Sequence, residues 1–545
     1  MTDLITAPTI APHRSAVLDD AHIGDIKGAF GTIKLGETAP RAGLSPKLKT
    51  LLAVVGPGLI VMCGDNDAGA FSTYGQTGQN YGTSLLWVLL LLVPVLYVNQ
   101  EMVVRLGAVS GVGHGKLILE RFGKFWGAFS IIDLFLLNAL TLVTEFIGIT
   151  LAVGYLGLPK LPSIVAAAAV VIGAASTGSF RRFERVAMLL CFGSLILIPI
   201  ALMMHPSAGQ MASGFLIPTM PGGASQLSTV MLLVIGLVGT TVAPWQLFFQ
   251  QSYVIDKRIT TRFLKYEKAD LWIGIVIVIA GAAAIIGFAY TATRGTAAAG
   301  NFSDAAGLAS AIAAKGGHLL GILFAIALLD ASIIGAFAVS LSTAYAIGDV
   351  FGVNHSLHRG VKQAKGFYGV YVGVIGLAAG IVLIPNAPLG LITNGVQAMA
   401  GVLLPSASVF LLLLCNDKEV LGPWVNGRKT NLFTATVLGV LVMLSIILTA
   451  SVLFPAITAD QIVGIMVGCA VVGLGAGGYA LRHRGPARAI DRTGAEDWRM
   501  PPLAELGKTE LSAGKRIGMG ALRSYLVISA LLVIVKVIEL TLASH

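Results

Sequence analysis

The chain has 545 residues, of which 55% are hydrophobic and only 12% charged, with a mean hydropathy of +0.83 and a formal net charge of +10. Soluble domains carry roughly 25% charged residues, so this composition excludes a soluble globular protein and describes an all-α polytopic membrane protein. The basic balance does not imply a nucleic-acid partner, because its distribution follows membrane topology.

Thirteen apolar stretches are long enough to be spans, at about 50–75, 83–104, 126–152, 161–179, 184–204, 227–250, 271–293, 319–348, 366–385, 388–415, 431–454, 461–481 and 521–543. With the N-terminus in the cytoplasm, 33 of the 37 Lys and Arg residues fall on the inner side and three on the outer, Lys160, Arg294 and Lys315, while Lys536 lies inside the last span. Loops that stay in the cytoplasm carry such an excess, so the basic charge reads as topology and contact with an anionic lipid bilayer. The expected localisation is an inner cell membrane, multi-pass, and no cleavable signal peptide is visible. Residues 1–48 read as a polar cytoplasmic tail with little fixed structure. A ten-span core over 49–416, with halves at about 49–205 and 227–416, is followed by spans eleven and twelve in 417–481, a basic linker at 482–520 and the last span in 521–545. The cysteines, Cys63, Cys191, Cys415 and Cys469, sit in apolar runs and read as buried small hydrophobes.

The first span, beginning LLAVVGPGLIVM, reaches Asp65 and Asp67 where a spanning helix is most apolar, with Gly69 directly after. A carboxylate at that depth costs several kcal/mol, and a glycine beside it frees backbone groups that lipid cannot satisfy. An interrupted helix with a carboxylate at membrane depth is a way to build a cation site. The second span carries Asn99, Gln100 and Glu101 near its inner end, and the third carries Asp133, Asn138 and, deep in the run, Glu145. Asp133 is a candidate neighbour of Glu145. The sixth span is interrupted in its turn, with Thr240 and Thr241 before Pro244, followed by Trp245 and Gln246. Proline removes an amide donor and clashes with the preceding turn. Two interrupted spans five apart are expected of an inverted five-plus-five repeat. Span eight carries Asp330 and span ten Gln397, whereas spans eleven to thirteen carry no acid at depth. Glu539, three residues after Lys536 near the end of the last span, reads as its helix-face partner.

These residues resemble the Nramp (natural resistance-associated macrophage protein) divalent-metal transporters. The likeness runs from GPG (Gly56 to Gly58) through the first break to Tyr81, Gly82 and LLWVLLL, and reappears at Thr241-Val242-Ala243-Pro244-Trp245, Glu145, Gln397 with Pro405, and CNDKEVLG, over roughly 50–425. It implies a LeuT-type fold with broken helices 1 and 6 and a metal ion between them. Family members bind the ion through an Asp-Pro-Gly-Asn break, a methionine sulfur and a backbone carbonyl of the sixth helix. Here Asp67 is kept, Ala70 stands where the family has asparagine, and Ala243 where it has methionine. Loss of the sulfur removes the preference for soft transition metals. The remaining carboxylate, hydroxyl, amide and carbonyl oxygens suit Mg²⁺, Mn²⁺ or Ca²⁺, and two methyl-sized side chains leave room for a partly hydrated Mg²⁺. This is similar to the family's divergent magnesium-transporting branch. Trp245 stands where the family has a histidine, and Leu142 where many members carry aspartate, so proton coupling is expected to be weak or absent.

The expected metal residues are therefore Asp67, Ala70, Thr240, Ala243, Gln397 and Asp65, with Glu145 and Trp245 as coupling or pocket residues and Gly69 and Pro244 as the helix breaks. Glu145 has a structural reading too, as a buried acid between helices, and Gln397 as an interhelical amide. The function expected is import of Mg²⁺ and/or Mn²⁺ by alternating access, with no cofactor beyond the transported ion. Two other readings stay open: a LeuT-type carrier of an amine-bearing organic solute, or a proton-coupled Mn²⁺/Fe²⁺ symporter. An enzyme is not expected, because no histidine lies at depth and no hydrolase motif is present. The sequence gives no oligomeric state.

Overall fold

A computed structural model describes residues 16–507 apart from 38, 385–388, 455–456, 483–489 and 491, and beyond them only 509, 518–520, 524 and 527. The last span expected at 521–543, with Lys536 and Glu539, lies almost wholly outside the described residues.

The described residues of the N-terminal segment carry fixed structure, against the expectation of little. A 3-10 turn at Asp20–His22 is capped by the Asp19 carboxylate, and strands β1 (Ile26–Lys27) and β2 (Thr32–Ile33) pair antiparallel with Ile26 opposite Ile33. Ile26 and Ile33 turn inward among Ala53, Val54, Phe263 and Leu271, and that burial is what fixes the segment.

The rest is helical. The first span is in three pieces: α1 (Leu44–Val54), α2 (Pro57–Asp65) and α3 (Ala68–Tyr81). The run LLAVVGPGLIVM is thus not one helix. Gly56, at φ +150°, takes a backbone conformation that side chains disfavour, Pro57 opens α2 at its first position, and α1 meets α2 at 54°. The amides freed there donate to one carboxylate, Asp270 Oδ2, from Gly56 N at 3.1 Å and Gly58 N at 2.7 Å.

The chain continues through α4 (Leu86–Ser110), α5 (His114–Phe122), α6 (Lys124–Tyr155), α7 (Lys160–Ala175), α8 (Phe180–Gly193), α9 (Leu197–Met204) and α10 (Ala208–Leu216). The second half opens with α11 (Gly223–Thr241) and α12 (Pro244–Asp256), the sixth span in two pieces. It goes on with α13 (Leu264–Thr293), α14 (Ala305–Gly316), α15 (His318–Phe351), α16 (Lys365–Val382) and α17 (Leu389–Leu414). Helices α18 (Lys418–Leu421), α19 (Arg428–Leu453) and α20 (Ala459–Arg482) follow. Among the described residues ten helices are long and apolar enough to cross a membrane, and the bent pair α1–α2 makes eleven. The count of thirteen is not reached: α7, at 16 residues, is short for a span, and the thirteenth lies outside.

The long helices α6 and α15 pack along each other as a central scaffold, α13 lies against both α2 and α3, and α11 lies against α17. This places the first broken span between scaffold and second half, with its break facing that of α11–α12.

Candidate metal site between two helix breaks

The first break falls at Asn66 and Asp67, not at Gly69 as expected. Asp65 ends α2, Asn66 leaves the helix at φ −81° and ψ 48°, and Asp67 is the N-cap of α3. The Asp67 side chain accepts from Ala70 N at 2.8 Å, so a carboxylate satisfies an amide that the helix start leaves bare. Gly69 sits inside the first turn of α3. Its role is space: a Cβ there would collide with the Gln397 side-chain amide from α17. The second break is the extended pair Val242–Ala243, and Pro244 opens α12 at its first position rather than interrupting a helix.

Across these breaks the expected residues converge in a region closed to solvent. Asp65 is 1% exposed and Asp67 3%; Ala70, Glu145, Thr240, Ala243, Trp245 and Gln397 are buried as well. Asp65 Oδ1 accepts from the Gln246 amide on α12, and Gln246 Oε1 accepts from Gln100 Nε2 on α4 at 2.9 Å. Glu145 Oε2, on α6, accepts from Ala68 N at 3.2 Å, so its carboxyl caps the same helix start as Asp67. Gly335 of α15 makes room for both acids: a Cβ there would lie 2.7 Å from the Glu145 carboxyl and 3.0 Å from Asp67 Cβ. Tyr74 donates to Thr241 Oγ1 at 2.9 Å, since that hydroxyl is committed to Leu237 O at 2.7 Å. Trp245 walls the region from one side, a Cβ on Gly64 lying 3.4 Å from its ring.

Several of these groups end without a protein partner: Asp65 Oδ2, Asn66 Oδ1, Glu145 Oε1, Thr240 Oγ1, the Gln397 amide nitrogen and both side-chain atoms of Gln250. Buried polar atoms are ordinarily satisfied; unpartnered atoms occur away from the breaks as well, at both Glu267 oxygens and Asp270 Oδ1 among others. The side-chain donors at the breaks are carboxylate, hydroxyl and amide groups, and residues 70 and 243 are alanine. The Ala243 carbonyl already accepts from Gln246 N at 3.2 Å, which leaves it one lone pair.

Asp133 is not part of this group. It lies twelve residues from Glu145 on α6, about 18 Å at 1.5 Å per residue, and its carboxyl bonds to Ser406. Asp330, on α15, contacts Gly193 of α8 instead. Sequence reasoning missed Asn66, Gln100, Gln250 and Gly335. Gln246 and Gln250 at i,i+4 on one helix face are a readable polar stripe, whereas nothing local marks Gly335.

Residues 58–451 match the family described as natural resistance-associated macrophage protein-like, Nramp. The chain belongs to the Nramp family. Relatives include the divalent metal cation transporter MntH of Ralstonia nicotianae, 27% identical over 404 residues covering 71% of this chain and 88% of that protein. The MntH of Deinococcus radiodurans is 28% identical over 421 residues, 73% of this chain and 88% of its own length. The fold is shared with an Eremococcus coleocola manganese transporter, at TM-score 0.62 and 19% identity over 84% of this chain and 97% of that one. It is shared with MhsT, solved with L-phenylalanine, at TM-score 0.52 and 14% identity over 72% and 97%. The chain is thus an Nramp-family integral membrane protein and a divalent metal cation transporter, not an enzyme, with a LeuT-type arrangement of helices broken in spans one and six.

Proposed function

We propose that this Nramp-family transporter imports Mg²⁺, with Mn²⁺ as a second substrate, through an oxygen-lined site at the two breaks, and that transport is uncoupled from protons. The observation that carries the reading is the buried pair Asp65 and Asp67 at the first break, with Glu145 and Gln397 beside it, together with alanine at 70 and 243. Asp67 and Asp65 supply the charge that draws a divalent ion from water, while Thr240, Gln397 and freed carbonyls at the breaks replace part of its shell. Mg²⁺ dehydrates reluctantly and keeps several waters in most sites, and short alanines at 70 and 243 leave those waters room. Glu145 holds the start of α3, and Trp245 is a wall that cannot take up a proton. The basic loops face the cytoplasm, and the ion passes by alternating access.

The test is uptake into liposomes of purified protein, comparing Mg²⁺ with Mn²⁺ while recording internal pH, with Asp67→Asn as control. Mg²⁺ entry that needs Asp67 and leaves internal pH unchanged is expected. Mn²⁺ entry alone, with acidification, overturns both the selectivity and the coupling.

A further inference from the structure

The N-terminal segment makes contacts that neither the site nor the fold requires. Its Asp19 carboxylate, buried, accepts from Arg359 in the α15–α16 loop, Nε at 3.1 Å and Nη2 at 2.7 Å, and from His355 N at 3.0 Å. His22 Nε2 lies 3.0 Å from the His355 carbonyl and 3.5 Å from Asp256 Oδ1 at the end of α12. Arg258, just past α12, holds the segment's backbone: its guanidinium donates to Ala21 O at 2.7 and 2.9 Å and to Asp25 O at 3.1 Å. Arg258 does so at φ +67°, a conformation unfavourable for a side-chain-bearing residue and retained only where surroundings enforce it. Further along, Ala29 N donates to Glu184 of α8 at 2.5 Å and Ala29 O accepts from Arg185 at 3.1 Å. Gly28 lies so close to α1 that a Cβ would collide with the Ala53 carbonyl.

One segment therefore joins four parts of the basic end: α1, α8, the end of α12 and the loop after α15. Among them α1 stands apart, tilted 54° from α2 at Gly56. We propose that residues 16–33 form an autoinhibitory strap, closed by an Asp19–Arg359 clasp, which pins α1 and must release before the ion can leave toward the basic side. The segment acts as a brake on flux and has no part in ion selection.

The test uses the full-length protein in liposomes, read by two signals: flux of Mg²⁺ and Mn²⁺, and the rate at which a protease nicks the segment between residues 16 and 43. Asp19→Asn and Arg359→Gln are each expected to raise nicking and initial flux roughly tenfold, the change that about 1.4 kcal/mol of lost charge-assisted bonding gives. Arg359→Lys, which keeps a cation for Asp19, is expected to change both far less than Arg359→Gln. Faster nicking with unchanged flux overturns the brake, and unchanged nicking overturns the clasp. Flux that falls in step with thermal stability reduces the segment to a structural role. Absence of Mg²⁺ flux in the wild type, with Mn²⁺ flux still rising in the clasp variants, overturns the proposed selectivity and leaves the strap standing.

Discussion

A buried carboxylate lies against each end of helix α12, Asp65 of α2 at Gln246 and Asp256 about 15 Å further along the helix, and the protein treats them differently. At its C-terminal end Asp256 is fully engaged: Ser356 Oγ donates at 2.6 Å, Tyr345 OH at 2.5 Å and Leu357 N at 2.9 Å. At its N-terminal end Gln246 donates to one oxygen of Asp65, and the other has no protein partner. A carboxylate without partners in a dry interior is costly. A fold that satisfies one acid with three donors had the means to satisfy the other. The proposed function reads the first as an acid that holds structure and the second as one kept for an ion, and the reading can be tested from both ends.

The sharpest way to break it is Asp67→Asn, which keeps an acceptor for Ala70 N and removes the charge. If these acids are kept for a cation, flux in liposomes falls to background, a loss of about a hundredfold or more, while thermal unfolding in detergent moves little. A comparable loss of stability instead makes Asp67 a cap and nothing more. The opposite pattern is expected of Asp256→Ala. It leaves three buried donors unpaired, and each unsatisfied group costs about 1–3 kcal/mol, so the protein should be destabilised by roughly 3–5 kcal/mol, read as a fall in unfolding temperature. If Asp256→Ala is neutral, satisfaction by hydrogen bonds does not distinguish the two ends.

Ala243→Met sharpens the comparison from the ligand side. A thioether at the second break supplies a soft donor, so the preference between Mn²⁺ and Mg²⁺ should shift toward Mn²⁺ by at least about tenfold, in competition uptake with Asp67 intact. An unchanged ratio places residue 243 away from the ion.

Much of the membrane plan was legible because lipid imposes it. An apolar run with two acids in it has few uses, and Pro244 with its threonines announced the second break. The positions of the breaks were less legible. Gly69 attracted the first break because glycine frees backbone, yet Asp67 starts the new helix by capping it, and the glycine serves a contact with Gln397, 328 residues later in the chain. Gly56 broke a run that hydropathy reads as continuous, since the deciding group, Asp270, is on α13. The N-terminal segment read as an unstructured tail because its polar residues find their partners only in the assembled helix ends. Gly335 carried no signal at all: its reason is the approach of two acids from α3 and α6.

The smallest effect comes from pH at the C-terminal end of α12, where titratable groups lie outside the spans. Burial disfavours charge on His355, but the Asp349 carboxylate at 3.0 Å outweighs it, and the ring is pushed up to about 9. Burial likewise works against charge on Asp19, yet the Arg359 bonds and the amides of Ala21 and His355 hold its carboxyl well below the usual range. Burial takes His22 below its ordinary value despite Asp256 nearby. For His355, raised in the folded state, the contribution is complete below about pH 6.5 and is lost as pH rises toward about 9. For Asp19, lowered, the contribution is present above about pH 4 and lost only in strong acid. For His22, lowered, it is present above about pH 6.5 and fades as pH falls below that. Asp349 and Val353, which raise His355, stay beside it when the segment leaves, so the pH dependence of the segment's hold comes from His22 and Asp19, and the hold is fullest above about pH 6.5. Going from pH 7 to about pH 5.5 should speed its nicking by protease several-fold, because the released His22 takes up a proton there while the docked one, held low by burial, stays neutral. A His22→Gln protein should lose that acid rise. A flat profile from about pH 5 to about pH 8 in the wild type would place the hold on the segment in Arg258 and the buried Ile26 and Ile33, and would leave Asp256 the satisfied end of the comparison through its hydrogen bonds alone.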